Sequence, residues 1–365
     1  MSRAKNDRGD AWYNASAEND DVVVSSRVRL ARNLANFPFP ENFDEENALQ
    51  VQSIVFDSFN HFDDADAYQT MILSSVPQLG ADILRERGLI EENFGTGLVM
   101  RIDGVSSCLL NCLDHVRISS FAPGLACSSA YAASRDIDMQ LQEKIQFAAS
   151  HEFGYLTANV CESGSGMKLS LRVHLPSTSF AGKISELAKV CDKRGFSVRD
   201  SFGSGTQFGS SLGGFYQISS VQSVSGNEID QIAEITSLGK YICEFERKIR
   251  AEVADNKFTE VRDIILRAFA QMRYSLLMPL RESIDLISAI KWGVDLDLIC
   301  GVDDHELSAL LYKVQSGHLG FLLRTSEFNF DDDIVSDDAL KEKRLRSIVM
   351  QEALKKITFP KNPAF

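Results

Sequence analysis

The sequence predicts an α+β protein in two parts: an antiparallel-sheet domain flanked by helices over residues 21–254, then an all-helical domain over residues 255–365. Three observations carry this. Short apolar segments at 97–102, 106–110 and 116–121 are separated by turns, the pattern of an antiparallel meander. From residue 228 onward, Ile229, Ile232, Ile235, Leu238, Ile242, Phe245, Ile249 and Val253 keep helical spacing for about seven turns. A length of 365 residues favours two domains and is ample for a buried core.

The elements follow in order. Met1 to Asn19 is polar, carries charges of both signs and has no apolar stretch, so it reads as disordered and not as a signal peptide. The apolar run Val22-Val23-Val24 opens a strand that continues through Arg32. Residues 44–60 read as a helix: Asp44, Glu45 and Glu46 favour its N-terminus, and Ala48, Val51, Val55 and Phe59 share one face. After the meander come a helix at 135–149, a strand at 168–175, a helix at 182–194 and strands at 196–199 and 214–220. Helical patterns continue at 258–278, 280–293 and 303–315. The acidic loop Asp331-Asp332-Asp333 leads to a last helix, with Ser336 as its predicted cap and Lys355-Lys356 at its end.

Composition narrows the function. Net charge is −13, from 38 basic and 51 acidic residues, which argues against nucleic acid or an anionic membrane as partner. No apolar run approaches the ~18 residues a membrane span needs. The seven cysteines (108, 112, 127, 161, 191, 243 and 300) form no CxxC pair, and the six histidines form no HxxxH. A zinc site or disulfide framework is therefore not expected, and a reducing, cytoplasmic setting is.

Any basic site must then be local, and one segment concentrates it: Ser25-Ser26-Arg27-Val28-Arg29-Leu30-Ala31-Arg32. In a strand, Arg27 and Arg29 share a face, and two adjacent guanidinium groups form a planar donor array suited to phosphate oxygens. Downstream stand Asn111-Cys112-Leu113-Asp114-His115-Val116-Arg117, then the glycine turn Gly164-Ser165-Gly166-Met167-Lys168. Arg199 precedes Phe202-Gly203-Ser204-Gly205-Thr206-Gln207-Phe208-Gly209, a glycine loop without a following GK[ST] and so no Walker motif. Taken singly, each of these is also compatible with a surface turn.

Taken in order, the segments resemble the guanidino phosphotransferases (phosphagen kinases), most closely the bacterial protein-arginine kinases of the McsB type. Val24 to Leu34 nearly reproduces the family's SSRxRLARN signature. Phe153-Gly154-Tyr155-Leu156-Thr157, His174-Leu175-Pro176, Phe215-Tyr216-Gln217-Ile218-Ser219, Trp292-Gly293-Val294-Asp295-Leu296 and His318-Leu319 extend the resemblance over the chain from residue 21. Only 26 residues precede Arg27, too few for the N-terminal helical lid of kinases acting on free guanidino compounds. The protein-acting branch fits better.

The resemblance implies an antiparallel-sheet guanidino-kinase domain and an ATP site with Mg²⁺ bridging the phosphates. Matched to family motifs, that ATP site comprises Ser26, Arg27, Val28, Arg29, Leu30, Arg117, Lys168, Arg199 and Ser204. Lys168 stands where the family has arginine, and Gly88 where it has a nucleotide-site histidine. A guanidinium with pKa above about 12 must also be oriented and relieved of a proton. The family does this with carboxylates; this chain has Cys112, Leu113, Ser204 and Gln207 at the matching positions, and Asn159 at the reactive-cysteine position. Asp114 survives, with a structural role expected, while Glu162 and Asp200 lie in loops from which a substitute base could come. In the helical domain, only Arg346 is retained from the phosphoarginine-binding motif.

The resulting expectation is a catalytically impaired, nucleotide-binding regulator of protein quality control. The alternatives are an active protein-arginine kinase using substituted groups, or a structural partner that has lost nucleotide binding too. By family resemblance, its partners would be a second copy of itself, arginine- or phosphoarginine-bearing proteins, a zinc-finger activator and Clp protease components.

Overall fold

The computed structural model describes residues 12–91, 95–203, 211–223 and 227–359. These fall into two compact units, one from the described residues of 1–15, 25–171 and 219–238, the other from those of 16–24, 172–218 and 239–365.

In the first unit, β1 (Val23–Arg32) hydrogen-bonds to β5 (Val116–Pro123), and β2 (Tyr68–Ile72), β3 (Gly97–Arg101) and β4 (Ser106–Leu110) extend the sheet beyond it. The first part of β8 (Met167–His174) lies on the other side of β1, giving the order β2-β3-β4-β5-β1-β8. A small ribbon pairs β6 (Ala149–Ser150) with β7 (Gly154–Tyr155). The expected meander is present, each pairing from β2 to β5 being antiparallel. Val28, Leu30, Leu98, Leu110 and Ile118 fill the core.

Among the described residues this unit holds three whole α-helices, together with the first turns of the long helix that begins at Glu228. α1 (Glu45–Phe59) opens where expected, with the Asp44 carboxylate accepting the Asn47 N–H at 2.8 Å. α2 (Gln78–Glu86) buries Ala81 and Leu84. The helix expected at 135–149 is instead α3 (Cys127–Gln142). Ser26 Oγ accepts the Ala126 N–H at 3.0 Å and so anchors the start of α3 to β1. Beyond Gln142 the chain turns extended, and backbone bonds join Gln146 and Ala148 to residues 33–35. The early turns bury Cys127, Ala130, Tyr131 and Ser134, a set with little aliphatic periodicity.

In the second unit the end of β8 is followed in sheet order by β10 (Phe215–Ser220) and β9 (Phe196–Asp200). Its helices are α4 (Pro176–Phe180), α5 (Ile184–Lys193), most of α6 (Glu228–Asn256), α7 (Phe258–Tyr274), α8 (Leu280–Asp295), α9 (Asp304–Lys313), α10 (Ser316–Thr325) and α11 (Asp338–Ala353). α8 is buried on all sides from Ser283 to Gly293, and it takes four polar residues, Ser283, Asp285, Ser288 and Lys291, inside with it. The cap of α11 is Asp337, one residue after the predicted Ser336; its carboxylate accepts the N–H groups of Ala339 and Leu340.

The expected N-terminal disorder is corrected within the described part. Trp12 stacks on Phe121 with centroids 5.2 Å apart, and Asn19 Oδ1 accepts from Arg247 Nη2 at 3.0 Å; residues 1–11 lie outside the described residues. No helix among the described residues is long and apolar enough to cross a membrane.

Candidate functional site

The period of two in β1 sorts its side chains. Val28 and Leu30 are buried in the core, while Arg27 and Arg29 face the other way, half-buried. The register then adds a third cation. Arg29 lies opposite Ser119 and Ala31 opposite Arg117, so Arg117 joins Arg27 and Arg29 on one face of the sheet. Arg27 donates to Ser119 Oγ at 3.0 Å and lies over the Phe121 ring. Lys168, near the start of β8, supplies a fourth cation.

Arg32 has the opposite parity and a different role. Fully buried, it forms a two-pronged pair with Asp138 at 2.9 and 3.0 Å and donates to the carbonyls of Ala31 and Ser165. The glycine turn makes this possible. Gly166 has φ +65°, and a Cβ there would come within 2.6 Å of the Ala31 carbonyl oxygen.

Two carboxylates complete the cluster. Glu162 accepts from Arg29 Nη2 at 2.6 and 2.7 Å, from Asn159 Nδ2 at 3.2 Å and from Lys168 Nζ at 3.5 Å. Glu91 bridges Arg117 at 2.7 Å and Arg29 at 3.4 Å. Burial raises the Glu162 carboxyl, but Arg29, then Lys168 and Arg117, outweigh it and hold it below the usual carboxylate range. Glu91 follows the same logic, with burial opposed and overcome by Arg117, Arg29 and Arg27. Glu162 could be picked out from its loop. Glu91 could not, because its partners lie 62 and 26 residues away and only the folded sheet joins them.

The acceptor-side positions differ from one another. Cys112 is half-buried, with its sulfur 3.6 Å from Arg117 Nη1, whereas Leu113 is 50 % exposed. Asp114 is buried and spent on structure: one oxygen accepts from Asn33 Nδ2 and from the Ala158 N–H, both at 2.8 Å. Its neighbour His115 accepts the Leu34 N–H at Nδ1, contacts the Pro38 carbonyl through Nε2 and stacks on Phe43. Burial lowers its pKa, with the Pro38 hydrogen bond and Asp114 opposing, which leaves a neutral core imidazole. Ser204 and Gln207 lie outside the described residues.

Other predicted residues fall elsewhere. Ser26 donates to the Gly124 carbonyl at 2.8 Å and is fully buried, so its hydroxyl holds the loop before α3. Val28 and Leu30 are core side chains on the face of β1 opposite Arg27 and Arg29. Arg199 is exposed at the end of β9, in the second unit, as is Asp200. Arg346 is buried in α11, donating to the carbonyls of Val314 at 2.7 Å and Met278 at 3.0 Å and pairing with Glu342. That geometry ties α11 to its neighbours.

Residues 50–249 match the family model of the ATP:guanido phosphotransferase C-terminal catalytic domain. The chain belongs to the ATP:guanido phosphotransferase family. Within that family it is McsB-like, since residues 258–362 match the protein-arginine kinase McsB C-terminal domain. A protein-arginine kinase of Syntrophomonas wolfei is 30 % identical over 345 residues, covering 92 % of this chain and 94 % of its own. One from Desulforamulus reducens is 31 % identical over 345 residues, covering 92 % and 96 %. Among solved structures, a duplicated taurocyamine kinase from Schistosoma mansoni superposes with TM-score 0.55 at 21 % identity. That match covers 67 % of this chain and 36 % of the duplicated one. A lombricine kinase gives TM-score 0.55 at 16 % identity, covering 65 % and 70 %. The two structures share the guanido phosphotransferase fold.

ATP fits the cradle by one test. Arg29 Nε and Arg117 Nε are buried and have no acceptor among the described residues, so each holds a donor free for a phosphate oxygen.

Proposed function

We propose that this chain is a nucleotide-binding, catalytically impaired protein-arginine kinase that acts through binding, with Arg27, Arg29, Arg117 and Lys168 as its phosphate cradle. One observation carries the reading. The carboxylates that touch the cradle among the described residues, Glu91 and Glu162, are both ion-paired to it and held below the usual range. A base so weakened is badly matched to a guanidinium with pKa above about 12. General-base assistance is worth about 10²–10⁴-fold, and Cys112 and Leu113 offer no substitute. Asp114 is committed to Asn33 and Ala158.

Bound ATP would supply the γ-phosphoryl group and carry Mg²⁺ on its phosphates. The chain's own part is charge: Arg29 and Arg117 orient the phosphates through their free Nε–H groups, and Arg27 and Lys168 add positive potential. Family position also assigns a nucleotide-binding role to Arg199 and Ser204. The same reading gives a catalytic-type domain over 21–254 and a helical domain over 255–365. It also gives cytoplasmic placement, self-association through the helical domain, arginine- or phosphoarginine-bearing client proteins, a zinc-finger activator and Clp components.

Calorimetric titration with MgATP tests the binding half. Saturable heat in the wild type that disappears in Arg29→Ala is expected. Equal binding by the two would remove the cradle from the account.

A further inference from the structure

We propose that Glu162 is a built-in competitor for the cradle's phosphate donors, and that it selects for polyanions able to engage several cations at once over isolated phosphate. The inference rests on the reading of Arg27, Arg29, Arg117 and Lys168 as a phosphate site.

The geometry supports it in three ways. First, the carboxylate sits where a phosphate would. Both oxygens lie on Arg29 Nη2, at 2.6 and 2.7 Å, and Lys168 Nζ and Asn159 Nδ2 complete the shell at 3.5 and 3.2 Å. A carboxylate and two oxygens of a phosphate present the same planar pair of acceptors to a guanidinium. An incoming phosphate therefore gains at Arg29 only what Glu162 gives up.

Second, the competitor is tethered. Because it is part of the chain, Glu162 acts at a high effective concentration that a free monovalent anion does not match. A triphosphate is different, because contacts at Arg117 and Arg27 add to the one it takes over at Arg29. The four cations minus the two carboxylates also leave a net positive site for it.

Third, the segment can yield. Glu162 ends a single 3-10 turn, Val160–Glu162, whose first residue is 79 % exposed and whose Cys161 is exposed as well. The turn is held by its backbone, the Ser223 N–H donating to the Cys161 carbonyl at 2.8 Å, and by Asn159, whose Oδ1 accepts the Cys161 N–H at 3.2 Å; the Glu162 side chain is free of both ties. Moving the Glu162 side chain out of the cradle therefore requires no core residue to leave its place. Glu91 competes less at Arg29: it pairs chiefly with Arg117, at 2.7 Å, and meets Arg29 only at 3.4 Å.

The test titrates MgATP and, separately, inorganic phosphate into the wild type, Glu162→Gln, Glu162→Asn, Glu91→Gln and Arg29→Ala. Melting curves establish that each variant is folded. Glu162→Gln keeps the side-chain volume and removes the charge; Glu162→Asn withdraws the group from Arg29. Both are expected to bind MgATP about tenfold or more tighter than the wild type, and to gain phosphate binding that the wild type lacks. Glu91→Gln is expected to tighten MgATP binding by less than either Glu162 variant does, because Glu91 meets Arg29 only at 3.4 Å. Suppose the wild type binds MgATP, Arg29→Ala does not, and neither Glu162 variant binds more tightly. The competitor is then refuted while the cradle stands. Absence of MgATP binding in the wild type and in every Glu162 and Glu91 variant removes the cradle, and the competitor with it.

Discussion

Replacing Arg32 by alanine separates the architectural arginine of β1 from the two that face the site. Arg32 is fully buried, makes a two-pronged pair with Asp138, donates to the Ala31 and Ser165 carbonyls and lies 3.6 Å from the Tyr155 ring centroid. Truncation strands the Asp138 carboxylate, itself 5 % exposed, in the interior without its counter-charge. Breaking a buried pair from one side costs about 3–5 kcal/mol. At about 2–4 °C per kcal/mol for a domain of this size, the melting temperature should fall by roughly 6–20 °C. Urea unfolding of wild type and Arg32→Ala measures the loss. The double variant Arg32→Met with Asp138→Leu should recover much of it, because apolar replacement of both partners removes the stranded charge. MgATP affinity of the folded Arg32→Ala protein should match the wild type. A stability change under about 1 kcal/mol, or a selective loss of nucleotide binding, would refute the division of labour drawn from strand parity.

Three further outcomes are expected. The Glu162 carboxyl is depressed below its usual 4.5 in the folded protein, so its stabilising effect is present above that pH and is lost as pH falls through the folded value. The melting-temperature gap between wild type and Glu162→Gln should therefore be widest above about pH 5 and narrow as the pH falls below 4.5; a gap that widens in acid contradicts the ion pair. Gly166→Ala forces a side chain into a φ of +65° and places Cβ 2.5 Å from Arg32 Nη1, so a loss of about 1–3 kcal/mol or more is expected in chemical denaturation. Finally, Cys112→Glu with Leu113→Glu should yield no phosphoarginine by mass spectrometry. Leu113 is half-exposed, and the family loop matched to Ser204 and Gln207 is altered as well; recovered turnover would show that loop to be dispensable.

The sequence carried much of this fold because its signals are local. Alternation in β1 put Arg27 and Arg29 together, and the helical spacing after residue 228 foretold α6, Glu228–Asn256. α3 was misplaced because the turn that launches it depends on a tertiary hydrogen bond from Ala126 to Ser26, which no local pattern encodes. The same limit hid the site's central feature. Arg117 could be matched by motif, but its position on the arginine face follows from the β1–β5 register. Glu91 follows two buried apolar residues, Leu89 and Ile90, and looks like any exposed acid until the chain brings it to Arg117. Asp114 is tied to Asn33 and to the Ala158 N–H, contacts that its motif neighbours alone do not reveal.

The central claim is that a phosphate cradle persists here without an acceptor base strong enough for transfer. Incubating the chain with ATP, Mg²⁺ and an arginine-rich protein, and reading phosphoarginine by mass spectrometry, tests it most directly. The account predicts nucleotide binding with no phosphoarginine above a no-enzyme control. Clear phosphoarginine formation that Arg29→Ala abolishes would contradict it.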